Sequence, residues 1–157
     1  MKNRPWRLAY ALQELREQLD DLFPERSKKS DGSIGDAKHA SRSSDHNPHV
    51  LQGNMGIVTA IDITHDPASG VDGFALSRKL ILDYRVKYVI WNRQIYNKNV
   101  SVNWRTYRGS NPHDKHVHVS VLPGQGIYDS RVPWVTTRNE NPSPAVSVPL
   151  TLNVKLR

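Results

Sequence analysis

Apolar positions along the chain follow two periods, one of three to four residues and one of two, and the changes of period divide it into elements. Leu8, Leu12, Leu15, Leu19 and Leu22 recur at spacings of three and four, with Arg7, Glu14, Arg16, Glu17, Asp20 and Asp21 on the other positions. This predicts an amphipathic helix from Pro5 to about Phe23 whose leucine stripe is a core face. Pro5 suits its first turn and Pro24 marks its end. Residues 25 to 56 are polar and without sustained period, so they read as a long loop, a feature usually functional or disordered within a small domain.

From Ile57 to Thr64 the period changes to two, with Ile57, Thr59, Ile61 and Ile63 on a core face and Ala60, Asp62 and Thr64 on the other. Asp66-Pro67 and Gly70 mark a turn. Asp72 is placed to cap a helix through about Tyr84, with Leu76, Leu80, Ile81 and Tyr84 inward. Lys87 to Trp91 and Arg93 to Tyr96 read as two strands or one bent strand, followed by a turn at Asn97-Lys98-Asn99. Val117, Val119 and Val121 alternate with His116, His118 and Ser120, which predicts another half-buried strand, and Val132 to Thr136 reads as one more short one. These elements describe an α+β domain, a small antiparallel sheet with helices packed on it. Past Arg138 the chain changes character: Pro142, Pro144 and Pro149 among Asn, Ser and Val describe an extended tail. The expected organisation is one domain over residues 1–137 and a Pro-rich tail or linker over 138–157.

At 157 residues the chain is long enough to bury a core without covalent staples. It contains no cysteine, which excludes disulfides, thiolate metal sites and a cysteine nucleophile, so any metal must be held by imidazole and carboxylate. No run approaches the roughly 20 apolar residues that span a bilayer, and the N-terminus lacks the apolar centre of a signal peptide. The expectation is a protein made in a cytoplasm that does not insert into membranes and that needs another agent to release it if it acts outside. A net charge of +7 points to an acidic partner, which charge alone leaves open among nucleic acid, anionic lipid and anionic cell-wall polymer.

The alternation around the last strand carries the chemistry. His116 and His118 fall on one face, and two imidazoles one pleat repeat apart can converge on a metal ion or on the water it binds. Asp62, pointing from the middle of its own strand, needs a salt-bridge partner or a metal, because an unpaired buried carboxylate costs several kcal/mol. With His46 from the long loop, Asp62 and His118 make a set of two imidazoles and one carboxylate, the donor set of a catalytic zinc with its fourth position left for water. His116 is then placed to take a proton or stabilise a developing oxyanion, and His113 on the preceding turn could assist. Arg42 and Gln94 are candidate clamps for a substrate carboxylate or carbonyl. Trp91, Tyr96, Trp104 and Tyr107 could wall a groove, at least half of them serving the core instead, and Ser44 either orients His46 or caps the loop.

Ser44-Asp45-His46, Ala60-Ile61-Asp62 and His113-Asp114-Lys115-His116-Val117-His118 resemble the SxH, AxD and HxxHxH motifs of the zinc D-Ala-D-Ala carboxypeptidase and L-alanyl-D-glutamate or D-alanyl endopeptidase family, which has the hedgehog/DD-peptidase fold and cleaves bacterial peptidoglycan. The resemblance covers residues 5 to 136. It implies zinc on His46, Asp62 and His118 and a catalytic His116, with His113 beside it. Two departures bear on it. Fifteen residues separate His46 from Asp62 where relatives commonly have six, which an insertion from about Asn47 to Gly56 would explain; otherwise His49 or His65 would be the ligand. Lys115 occupies the position where many relatives carry an acidic base, which moves that role to His116, with Asp114 the lesser candidate.

The resulting expectation is a zinc endopeptidase of phage endolysin type, monomeric, acting on the peptide stem or cross-link of the anionic wall and not on nucleic acid. A metal-dependent nuclease is the alternative from the same basic charge and clustered histidines, but it would need a hairpin running directly into a helix, whereas the HxH strand runs into Leu122-Pro123-Gly124. A noncatalytic cell-wall-binding module with the same fold is the other alternative.

Overall fold

The structure is a computed structural model that describes residues 4–34 and 44–134. The first strand, β1 (Trp6–Leu8), precedes helix α1 (Tyr10–Leu22). Next come β2 (Val50–Gln52), β3 (Met55–Val58), β4 (Ala60–Thr64), a 3-10 turn at Pro67–Ser69 and helix α2 (Gly73–Leu80). Strands β5 (Val86–Trp91), β6 (Gln94–Tyr96), β7 (Arg105–Thr106) and β8 (His116–Val121) lead to the short helix α3 (Gln125–Tyr128). The class is α+β, with small sheets and few helices. No helix among the described residues is long and apolar enough to cross a membrane.

Helix α1 begins five residues later than the leucine period predicts. Trp6 to Leu8 are claimed by a neighbour instead: they pair in parallel with Gly56 to Val58, and the Ala9 amide donates to the Val58 carbonyl. Tertiary pairing thus overrides local helix preference until Tyr10. From there the stripe behaves as expected, with Ala11, Leu12, Leu15 and Leu19 buried. Each buried leucine contributes roughly 2 kcal/mol by area removed from water.

The expected single strand over 57–64 is two strands in two sheets. At Thr59 the backbone turns away from both ladders, its amide donating to the Asp45 carbonyl and its carbonyl accepting from Val121. Residues before it join a three-stranded sheet in the order β1-β3-β2, and residues after it join a five-stranded antiparallel sheet in the order β4-β8-β5-β6-β7. The polar stretch 25–56 therefore contains regular structure. Strands β2 and β3 form a hairpin whose turn places Gly53 at φ 60°, a region that suits glycine.

One face of the five-stranded sheet belongs to the core. Ile61, Ile63, Val89, Trp91, Val117, Val119 and Val121 pack with the buried residues of α1 and α2. Gly73 permits a close approach of α2 to this face, since a Cβ there would meet the Trp91 ring at 2.6 Å. Helix α2 is capped by the Asp72 carboxylate, which accepts from the Phe74 amide, but it ends at Leu80, and Tyr84 is exposed instead of inward. Strands β5 and β6 are joined by a tight turn in which Asn92 and Arg93 both have positive φ, the conformation that matches strand twist in a two-residue hairpin. Residues 131–134 carry no strand; the rest of the expected strand at 132–136 and the tail at 138–157 lie outside the described residues.

Candidate metal centre

The opposite face of the same sheet carries the polar cluster. Register sets it: Asp62 on β4 stands opposite His118 on β8, and Thr64 opposite His116. Because side chains alternate, Asp62, His116, His118 and Ser120 share a face, the one that Val117 and Val119 turn away from. His46 reaches this face from the loop before β2. Its turn is pinned by Ser44, whose hydroxyl accepts from the His46 amide at 3.2 Å. Buried Asp45 ties the same turn to the sheet through Lys87 at 3.0 Å and the Thr59 amide.

A second segment, residues 31–33, lies along the free edge of β4. Fully buried Arg26 holds Asp31 at 2.9 Å, Asp31 accepts from the Thr64 amide and hydroxyl, and Gly32 bridges with Asp62 through both backbone groups. This places the Ser33 carbonyl 2.7 Å from His46 Nδ1. A carbonyl only accepts, so His46 carries its proton on Nδ1 and presents the lone pair of Nε2. On the other side of the cluster, His118 Nε2 lies 2.9 Å from Ser120 Oγ, a hydroxyl that can donate or accept; with the proton on Nε2, His118 presents the lone pair of Nδ1.

In that tautomer three acceptor atoms face one another. His46 Nε2 lies 3.1 Å from His118 Nδ1 and 3.2 Å from Asp62 Oδ1, and His118 Nδ1 lies 3.3 Å from Asp62 Oδ1. Asp62 Oδ1 is buried and has no hydrogen-bond donor. Lone pairs brought this close repel unless a cation sits among them. Ligands about 2.0–2.1 Å from a tetrahedral ion stand about 3.4 Å apart, close to the sides of this triangle. His46, Asp62 and His118 are thus positioned to hold a metal ion.

In the metal-free protein a proton can supply part of the missing charge. Burial pushes the His46 imidazole down, but Asp62 and the Ser33 carbonyl outweigh it, and its pKa is raised. Burial likewise disfavours the Asp62 carboxylate, yet the imidazoles of His118 and His46 hold its pKa well below the usual carboxylate range. His118 is lowered, chiefly by burial.

Beside the triangle stand His116 and His113. His116 Nε2 is buried without a hydrogen-bond partner, 3.5 Å from Asp62 Oδ2. His113 Nδ1 donates to the Asn111 carbonyl at 2.8 Å, leaving Nε2 as an acceptor, and burial with the neighbouring His118 pushes its pKa down to about 4. Its ring meets those of His116 and Tyr107 edge to face.

The structure therefore brings together five of the seven residues singled out by sequence. Arg42 lies outside the described residues. Gln94 is on the wrong face: it pairs with Trp91, whose ring packs into the core, and its amide oxygen accepts from Arg78 on α2. Trp91 belongs to the core, and Tyr96 and Trp104 pack on each other, with Arg78 over the Trp104 ring, so of the four aromatics only Tyr107 touches a site residue. His49 is exposed and pairs with Asp45, and His65 accepts from the Gly73 amide beside Trp91, so neither replaces His46. The β2–β3 hairpin accommodates the long separation between His46 and Asp62. Asp114 is exposed and belongs to neither cluster.

Sequence reasoning missed Tyr88, which stacks on His118 with ring centroids 5.2 Å apart and whose phenol burial pushes up to about 12. Its position two residues before Ile90, the partner of His118, put it on the site face, but only the register reveals this. The Ser33 carbonyl was also missed and carries no side-chain signal at all. No protein-family model, curated protein or solved structure matches this chain.

Proposed function

We propose that this protein is a zinc peptidase of the hedgehog/DD-peptidase type that hydrolyses an amide bond in the peptide stem or cross-link of bacterial peptidoglycan, in the manner of a phage endolysin. The observation that carries this reading is the convergence of His46 Nε2, Asp62 Oδ1 and His118 Nδ1 with two further imidazoles immediately beside them. Two imidazoles and a carboxylate suit zinc, which when bound supplies a Lewis acid for the scissile carbonyl and lowers the pKa of water to about 7.

The chain's own residues divide the remaining work. The Ser33 carbonyl fixes His46 in one tautomer, and Ser120 Oγ holds the far nitrogen of the His118 ring, so neither ring has to reorient when the centre is loaded. His116 Nε2, directed at Asp62 Oδ2, is the proton acceptor for the attacking water and returns that proton to the leaving amine. His113 Nε2 is a second acceptor in reach of the same space. Tyr88 shields one side of His118 from water. The net charge of +7 favours accumulation on an anionic wall.

Digestion of purified peptidoglycan, followed by mass spectrometry of the released fragments, tests the reading. The expected result is a new free amine and carboxyl within the stem or cross-link, abolished by a chelator, restored by zinc and lost in His116→Ala. Intact stems after incubation with zinc-loaded protein would refute it.

A further inference from the structure

Asp62 has two carboxylate oxygens, and they face different neighbours. Oδ1 meets His46 and His118, while Oδ2 is turned to His116 Nε2 at 3.5 Å. That nitrogen is buried and unpartnered, although a buried imidazole nitrogen without a partner is costly. His113 stands against it, ring centroids 5.0 Å apart at 87°, in a left-handed backbone with φ 54°. The Asn111 side chain accepts from the His113 amide and the Asn111 carbonyl from Nδ1, which leaves Nε2 as its free ligand atom. One ligand atom each from Asp62, His113 and His116 lies within 4.8 Å of the other two.

We propose that Asp62, His113 and His116 form a second, weaker divalent-cation site that shares the Asp62 carboxylate with the first, the two oxygens bridging the two ions. The inference rests on the first triangle being a metal centre. Two imidazoles and a carboxylate oxygen suit zinc, cobalt or nickel. The order of affinity follows from charge. The three atoms of the first triangle stand 3.1–3.3 Å apart, near the separations a bound ion requires, and an ion arriving second meets the charge of the first. The functional consequence is inhibition by excess metal, because the second ion occupies the nitrogens assigned above to proton transfer.

The test uses the full chain, stripped with chelator, dialysed and titrated with zinc by calorimetry. A parallel titration of protein labelled with 15N-histidine follows the imidazole nitrogens by NMR. The expected result is two steps, the second roughly tenfold or more weaker. His46 and His118 should shift in the first step and His113 and His116 in the second. His113→Ala should retain the first step and lose the second. A single step that shifts only His46 and His118 overturns the second site and leaves the first standing. A second step that shifts neither His113 nor His116 also overturns it. No shift at His46 and His118 in any step would overturn the first centre, and the proposal with it. The wild-type spectrum reads both sites directly, so the outcome does not depend on how well a variant folds.

Discussion

The Asn92 amide donates to the His113 carbonyl at 2.8 Å, and both residues hold left-handed backbone, at φ 46° and 54°. Arg93, the other residue of the hairpin turn, also has positive φ, at 67°, and donates to the Pro112 carbonyl. The three non-glycine residues with positive φ among those described thus form one hydrogen-bonded cluster that carries a site histidine. Such conformations cost about 1–3 kcal/mol each and persist where the surroundings enforce them. Asn tolerates this region better than Ala. Asn92→Ala should therefore lower stability by about 1 kcal/mol and reduce turnover by displacing His113, with zinc content unchanged. Thermal melts, metal analysis and peptidoglycan digestion on one preparation check this; full activity would show that the turn does not position His113.

Ser120 acts on the centre through His118. Its hydroxyl lies 2.9 Å from Nε2 and, acting as acceptor, keeps Nδ1 free for the ion. Removing such a partner typically weakens metal affinity 10–100-fold. Ser120→Ala should show a loss of about that size in zinc competition against a chromophoric chelator, and unchanged affinity would mean that packing against Tyr88 alone fixes the ring.

The raised pKa of His46 sets the pH dependence of metal stabilisation. In the metal-free protein, the proton held against Asp62 contributes stability that is complete below the unfolded value of about 6.5 and lost as pH rises through the higher folded value. The depressed Asp62 carboxyl contributes stability that is lost only as pH falls through its low folded value, below the range of interest. Zinc must displace the His46 proton. The zinc-induced rise in melting temperature should therefore grow between about pH 5.5 and 8.5. A rise that is constant or shrinks with pH would exclude His46 as a ligand.

Away from the site, Arg85 is the most consequential buried charge. It is fully buried, pairs with Asp83 at 2.8 Å, donates to the carbonyls of Ser130 and Val132, and lies 3.9 Å above the Trp134 ring. Truncating one member of a buried pair typically costs about 3–5 kcal/mol. Arg85→Ala should lose about that much in denaturant unfolding, and a loss near zero would show that the segment 130–134 is held by Trp134 alone.

The parts of this account that were legible in the sequence were those fixed by alternation within one strand. A period of two placed His116 with His118 and put Asp62 on the face away from Ile61 and Ile63, and the register then brought those faces together. What alternation within one segment could not supply was pairing between segments. Trp6 to Leu8 continue a helical leucine period and yet form a strand, because Gly56 to Val58 lie alongside. Ile57 to Thr64 read as one alternating stretch despite apolar Val58 on the polar face and Thr59 on the apolar one, and that irregularity alone does not say that the strand changes sheet at Thr59. Gln94 lies off the site face for a related reason: its face depends on where the hairpin turns, and a two-residue turn at Asn92-Arg93 sets it opposite core residue Trp91. Backbone groups such as the Ser33 carbonyl carry no residue signature.

Metal content by plasma mass spectrometry, measured on the wild-type chain and on His46→Ala after zinc loading and exhaustive dialysis, decides whether these residues hold a metal. The triangle of His46, Asp62 and His118 predicts about one tightly held zinc per chain in the wild type and a large loss in the variant. No retained zinc in the wild type, or equal zinc in both, would contradict it.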